Sequence, residues 1–411
     1  MHALGYTAVV STLLEYKEKP GACAACGNSP INHQVSFVFN TLNAVFSVMS
    51  HRIKGTRILR ALDTGARVMM DTMDVIHTAV MQRIGAVRWG TDLTKARTYR
   101  SQVVWEEARR RGIQMEQMFL FGMASDLYRA HLRGAWQYFK SIPLPPEVSQ
   151  DAYLWIDDKM VLKEELRRLC IPTPASQSVS SYRAAREAFA QIEAPVVVKP
   201  RCGSRGRHTT TAIQKIEDLR PAFNSARQLC AFISVERYLK GPVCRGTVVG
   251  GKLVGLFAAE APRVVGDGIS TIAQLIEKTN ASRHERVQPI VLTPEHEAQI
   301  GRQGFEISSV VPSGTEVMLS HRTGRLFGGA TRELLDSVHP HLRDYLEKAA
   351  QGLQVPVVGF DLIIPDPEIE PDTQEWGIIE ANSLPFIDLH YLPLYGKPSN
   401  PAAAVWDLWN I

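Results

Sequence analysis

Two periodicities organise the hydrophobic positions of this 411-residue chain. Helical spacing marks Met70, Met73, Ile76, Val80 and Met81, which predicts a helix over Asp71 to Gln82 with a methionine stripe facing a core. Ser101 is placed to cap a second helix through Arg111, where Gly112 ends it. Met115 to Phe121, Leu127 to Leu132 and Trp136 to Ile142 read as short strands, closed by the linker Pro143 to Pro146. Asp157 or Asp158 can cap a helix to about Leu169, stopped by Ile171-Pro-Thr-Pro174. Strand and helix signals then alternate. Val196 to Val198 is a continuous β-branched run, as expected of a doubly buried strand, and Ile233 to Glu236 is another strand. Phe360 to Ile364 and Trp376 to Asn382 flank an acidic loop and would pair as a hairpin. Residues 1 to about 90 are the least readable part.

With 45% hydrophobic and 21% charged residues, the chain can bury a sizeable core, and its length suits two or three domains. The longest apolar stretch, Val35 to Ser50, is broken by Asn40 and Asn43 and is shorter than the ~20 residues a bilayer crossing needs, so no membrane span is expected. The N-terminus lacks the charge order of a signal peptide, and six scattered cysteines read as free thiols. A cytoplasmic location follows. Of 46 Lys+Arg and 42 Asp+Glu, residues 1–150 hold 18 and 11, leaving 28 and 31 for the rest. The basic excess around Arg52 to Arg60 and Arg109 to Arg111 has no interleaved aromatics, and the second run ends a helix, where the dipole favours cations. An anionic small substrate is therefore expected in preference to nucleic acid. Cys23 and Cys26 form one CxxC with His33 nearby, but no second CxxC or HxxxH completes four zinc ligands, which argues against zinc.

Two motifs carry chemistry. In Val196 to Thr211, a strand leads into a loop in which Gly203 and Gly206 let backbone amides approach an anion, Ser204 adds a hydroxyl, and Lys199 offers a point charge. His208 beside it reads as a phosphate donor or, more simply, a solvated loop residue. The loop is neither a Walker A nor a Rossmann motif. In the C-terminal hairpin, Glu380 and Asn382 share one strand face about 6.7 Å apart, and Asp361 can be brought opposite them. Two carboxylates and an amide suit magnesium, which takes hard oxygen ligands.

Taken in order, Asp158-Lys159, Val198-Lys199-Pro200, Val235-Glu-Arg-Tyr-Leu239, Gly359-Phe-Asp361 and Ile379-Glu-Ala-Asn382 make the chain from 157 to 411 resemble ATP-grasp enzymes. Pro262 to Ile276, Val338-His-Pro340 and Leu389-His390 to Gly396 are similar to the ATP-grasp domain of cyanophycin synthetases. The resemblance implies an α/β (α+β) fold with two α+β ATP-grasp subdomains over 155–240 and 241–411. A βα substrate-side domain over 91–150 and a partly helical region of unassigned role over 1–90 precede them. It also implies ATP with two Mg2+ ions, or Mn2+ in their place, held by Asp361, Glu380 and Asn382. Lys159, Lys199, Gly203, Ser204, Gly206 and the hinge Glu236, Arg237, Tyr238 and Leu239 would contact the nucleotide. Arg245 and Arg263 would bind the acyl-phosphate or the substrate carboxylate, and Ser383, His390 and Lys397 the substrate.

Departures sharpen this expectation. Pro242, Val243 and Cys244 supply no acid for the ribose, Arg207 stands where relatives commonly have a further glycine, and no Mur-ligase-like Gly-Lys-Thr loop is present. The expected activity is a single-step ligation of a small-molecule carboxylate, an amino acid or short peptide, to an amine through an acyl-phosphate. A homo-oligomer is compatible with it. An ATP-binding regulatory or scaffold protein, or a small-molecule kinase, are the alternatives.

Overall fold

The computed structural model describes residues 23–26, 31–53, 81–148, 155–203 and 206–410. Ser204 and all but the last two residues of the expected Asp71 to Gln82 helix lie outside them. The apolar stretch near the N-terminus is helix α1 (His33–Ile53). Asn40, one of the residues breaking that stretch, is buried and donates to the Leu229 carbonyl at 2.9 Å, while Thr41 accepts from the Ala231 N–H at 3.0 Å. The polar interruptions thus dock α1 onto the body of the protein. Among the described residues no helix is long and apolar enough to cross a membrane.

β1 (Val87–Gly90), α2 (Tyr99–Arg110), β2 (Met115–Leu120), β3 (Met123–Leu132) and β4 (Ala135–Lys140) come next, the strands forming an antiparallel sheet in chain order. Thr98, not Ser101, caps α2. The Thr98 side chain accepts from the Ser101 N–H, so Ser101 lies one turn inside the helix. Arg110 and Arg111 both pair with Glu107, so the basic run is neutralised in part within its own helix.

α3 (Lys159–Arg168) is capped by Asp158, which accepts from the N–H groups of Met160 and Val161. Then follow β5 (Ser176–Val179), α4 (Tyr182–Ile192), β6 (Val196–Pro200), β7 (Thr210–Ile213), α5 (Ile216–Arg227) and β8 (Ile233–Arg237). These strands make an antiparallel sheet of order β5-β8-β6-β7, with α4 and α5 buried against it through Ala185, Ala188, Leu219 and Phe223. β9 (Val243–Val249), β10 (Lys252–Ala259), β11 (Arg263–Val265), α6 (Ile272–Ser282), α7 (Pro294–Arg302), β12 (Glu316–Met318), β13 (Thr331–Glu333), α8 (Pro340–Leu353), β14 (Val357–Ile363), β15 (Gly377–Asn382) and α9 (Pro401–Asp407) complete the chain.

The largest sheet has order β13-β10-β9-β14-β15, and α3 and α8 cover it in one core through Leu162, Leu166, Leu342, Leu346, Val248 and Phe360. β11 and β12 form a small separate sheet over α6. The first sheet is not isolated from the last helix: Val104, Tyr128 and Phe139 pack with Trp406 and Trp409, and Trp406 Nε1 donates to the Val104 carbonyl at 2.9 Å.

His390, expected at the substrate, is instead fully buried. Its Nδ1 meets the Glu333 carboxylate and its Nε2 the Thr247 hydroxyl, both at 2.7 Å, so neither ring nitrogen faces a ligand. Gly255 makes room for the ring, since a Cβ there would sit 2.5 Å from Nδ1. Gly255→Ala is expected to lower stability by about 1–3 kcal/mol through overpacking. Urea unfolding checks this, and an unchanged midpoint would contradict it.

Candidate active site

β9, β14 and β15 are neighbours in the largest sheet, and their register sets Arg245, Asp361 and Glu380 side by side in one row. Asn382 stands opposite Gly359, one inward-facing step along the same strand from Glu380. The expected hairpin and the shared face of Asp361, Glu380 and Asn382 are both present. Arg245 holds Asp361 in a two-pronged ion pair, with Nη2 to Oδ2 at 2.7 Å, and Asn382 Nδ2 donates to Asp361 at 3.3 Å. Gly359 keeps this arrangement open, because a Cβ there would come within 3.2 Å of Arg245 Nη1. That Nη1 is buried with no hydrogen-bond partner among the described residues. The Asp361 and Glu380 side chains remain 16% and 27% exposed.

The next cations come from α3. Lys159 and Lys163 are one turn apart on the same helix face. Lys159 reaches back to Glu380 at 3.4 Å, whereas Lys163 reaches Glu236 on β8, in the other sheet, at 2.6 Å. Lys199, at the end of β6, also meets Glu236, at 2.9 Å. Glu236 therefore does not project as a free polar contact. It is buried between two lysines and further bound by the Ser234 hydroxyl at 2.7 Å. Lys163 escaped the sequence reading. Its signal was its position four residues after Lys159 on the apolar side of a capped helix.

Charge follows this geometry. Burial pushes Glu236 up, but Lys163 and Lys199 outweigh it and hold the carboxyl at about 2. Two lysines share one glutamate, and burial draws Lys163 down to about 7 despite that partner. Burial raises Asp361 more than Arg245 lowers it. Glu380 lies below the ordinary carboxylate range because Lys159, Lys199 and Arg245 together overcome its burial.

The remaining expected residues divide. Gly203 and Gly206, on either side of two residues outside the described ones, both have positive φ, 69° and 77°, a conformation that glycine adopts freely. Tyr238 and Leu239 connect the two sheets: the Tyr238 N–H bonds the Pro195 carbonyl, and Arg237 pairs with Glu375 at 3.1 Å across the connection. Ser383 donates its N–H and hydroxyl to Asp157 at 3.0 and 2.9 Å. Arg263 is not drawn into the row. It lies on the small β11–β12 sheet, 41% exposed, with ion pairs to Glu260 and Glu316. Lys397 is exposed in the loop before α9. His208 is buried and faces the N-terminal segment, so it is neither a solvated loop residue nor a phosphate donor.

Hard oxygen donors on neighbouring strands, with lysines converging from two other elements, make a site able to bind a polyanion together with a divalent cation. No family model matches the chain. It is 30% identical over 258 residues to cyanophycin synthetase of Trichormus variabilis, covering 61% of this chain and 29% of that one. To the glutathione biosynthesis bifunctional protein of Mannheimia succiniciproducens it is 26% identical over 311 residues, covering 72% and 40%. The bifunctional glutathione synthetase of Pasteurella multocida is similar in fold, with a TM-score of 0.50 and 24% identity over 76% of this chain and 44% of that one. The chain is thus similar in sequence to cyanophycin synthetase and to the bifunctional glutathione biosynthesis protein, and similar in fold to a bifunctional glutathione synthetase. It spans 29% to 40% of the length of these curated relatives.

Because Glu236 has a depressed folded pKa, its contribution to stability is present above its ordinary value of 4.5 and is lost as pH falls toward about 2. Glu236→Gln, which leaves two buried lysines uncompensated, should remove that acid limb. At neutral pH it should cost roughly 3–5 kcal/mol, read from urea unfolding at pH 7 and pH 3. An unaltered pH dependence would contradict the pairing.

Proposed function

We propose that this chain is an ATP-dependent ligase that joins a small-molecule carboxylate, an amino acid or short peptide, to an amine through an acyl-phosphate. The observation that carries the reading is the row Arg245, Asp361, Glu380, Lys159, which brings acids and cations from four elements to one partly open edge. In this reading residues 155–240 and 241–411 are the two halves of the ATP-grasp unit. Residues 91–150 lie on the substrate side, and residues 1–90 have no assigned role in the reaction.

The donor set of Asp361, Glu380 and Asn382 fits magnesium, with manganese as its substitute, since all can offer hard oxygens once the amide of Asn382 turns its oxygen inward. Bound there, two such ions would neutralise charge on the ATP phosphates. Arg245 now covers the Asp361 oxygens, and swinging its fork away would both free that ligand and bring a guanidinium to the substrate carboxylate. Lys159 and Lys199 hold phosphate oxygens, and the Gly203 to Gly206 turn closes over them and excludes water. The γ-phosphoryl group passes to the carboxylate, the amine attacks the acyl carbon, and phosphate leaves with ADP as the co-product. Arg263, Ser383 and Lys397 are on the substrate side of this scheme, Arg263 reaching it only if the β11–β12 sheet moves inward. The substrates are small, no nucleic acid takes part, and the reaction runs in the cytoplasm, in a monomer or a homo-oligomer.

With ATP, magnesium and a panel of amino acids and short peptides, ADP release should depend on both a carboxylate and an amine, and mass analysis should find a new amide. Glu380→Gln should lower the rate at least about 100-fold by removing a metal ligand. A phosphorylated product without an amide would favour a kinase. Amine-independent ADP release unchanged in Glu380→Gln would overturn the assignment.

A further inference from the structure

His208 follows the glycine turn and packs against the N-terminal segment, its ring meeting Cys23, Cys26 and His33. There Cys23, Cys26, His33 and His208 converge, and one ligand atom from each lies within 4.8 Å of all the others. Cys26 Sγ is 3.1 Å from His33 Nε2 and 3.3 Å from His208 Nε2, and Cys23 Sγ is 3.6 Å from His208 Nε2. A tetrahedral zinc with sulfur at ~2.3 Å and nitrogen at ~2.0–2.1 Å would set sulfur-to-nitrogen edges of roughly 3.6 Å, so the four atoms already approximate that shell. We propose that these residues form a structural Cys2His2 zinc site, and that its metal pins the glycine turn to the N-terminal segment.

Three independent features fit a metal shell better than a chance polar cluster. His208 Nδ1 lies 2.8 Å from the Ser225 carbonyl, so it carries the proton and leaves the Nε2 lone pair directed at the sulfurs, the outer-shell bond that metal-ligating histidines make. Cys23 and Cys26 are joined by a one-turn knuckle, Ala24–Cys26, closed by the Cys26 N–H to the Cys23 carbonyl at 3.1 Å, which aims both sulfurs the same way. Within that knuckle the Ala25 carbonyl accepts from the His208 N–H at 3.1 Å, so the two halves of the site are held together by backbone as well. The sequence hid the site because its fourth ligand stands 182 residues from Cys26, beyond any local zinc spacing.

All four ligands are filled by protein, which leaves no position for a substrate and marks the site as structural. Zinc binding releases the two thiol protons and gives Zn2+ two thiolates and two neutral imidazoles, a complex of zero net charge that can be buried. Its effect falls on the turn next door. α1, which begins at His33, also presses Asn40 against Gly203, where a Cβ would fall 2.0 Å from Oδ1. Both ends of the Gly203 to His208 turn are thus held by the N-terminal segment. That this turn covers phosphate rests on the ligase reading, but the metal site does not.

Full-length protein purified without chelators should carry one equivalent of zinc by elemental analysis. After exchange with Co2+ it should give the intense visible bands of a tetrahedral ion together with a thiolate-to-cobalt charge-transfer band. Amide exchange over residues 203–209 should quicken when the metal is stripped. His208→Ala should bind Zn2+ at least 10-fold more weakly while keeping its circular dichroism spectrum, and if that variant does not fold, the wild-type cobalt spectrum still decides. Less than a tenth of an equivalent of bound metal, an octahedral cobalt spectrum, or a Cys23–Cys26 disulfide in the purified protein would overturn the proposal.

Discussion

The burial of like and unlike charges between two sheets is the constraint on which this molecule turns. Lys163 and Lys199 share Glu236 on one side, and Lys159 bridges to Glu380 on the other. Each ion in such a row would cost several kcal/mol alone and is tolerated only because its neighbour has the opposite sign. Lysines spaced one turn apart on α3 must therefore reach both sheets, which fixes where that helix lies. The cap at Asp158 sets the helix start, and the packing of Leu162 and Leu166 into the core of the largest sheet sets its rotation. A few polar contacts thus tie the helix to both sheets.

Those contacts also prepare chemistry. The acids at the open edge are partly exposed and already held by protein cations, Asp361 by Arg245 and Glu380 by Lys159. A phosphate chain carrying magnesium would exchange these partners and change the charge balance of the row by only a small amount. Electrostatic preorganisation of this kind needs little movement when the ligand arrives. Nη1 of Arg245 is buried with no hydrogen-bond partner among the described residues.

Much of this was legible in the chain because it is local. Asp158 as a helix cap, the β-branched run of β6 and the Phe360 to Asn382 hairpin with two acids face to face all depend on residues close in sequence, and each is present. The errors share one cause, contacts between distant segments. Glu236 is expected from the resemblance to contact the nucleotide, because nothing nearby in sequence announces Lys163 and Lys199 around it. His390 was read as a substrate residue because its partners Thr247 and Glu333 lie 143 and 57 residues away. Asn40 and Asn43 were read only as breaks in an apolar stretch, whereas Asn40 binds a carbonyl 189 residues distant. His208 fell the same way, its thiol and imidazole partners lying at the far end of the chain. Periodicity reports which face is buried. It does not report what that face meets.

In the proposed ligation a carboxylate attacks the γ-phosphorus of ATP beside Asp361 and Glu380. Oxygen transfer tests it most directly. A carboxylate substrate labelled with 18O should pass one labelled oxygen to the phosphate released during amide formation, because the bond to the acyl carbon breaks when the amine attacks. Phosphate in which the only newly acquired oxygen comes from solvent water would mean that water, not a carboxylate, takes the phosphoryl group, and would contradict the account.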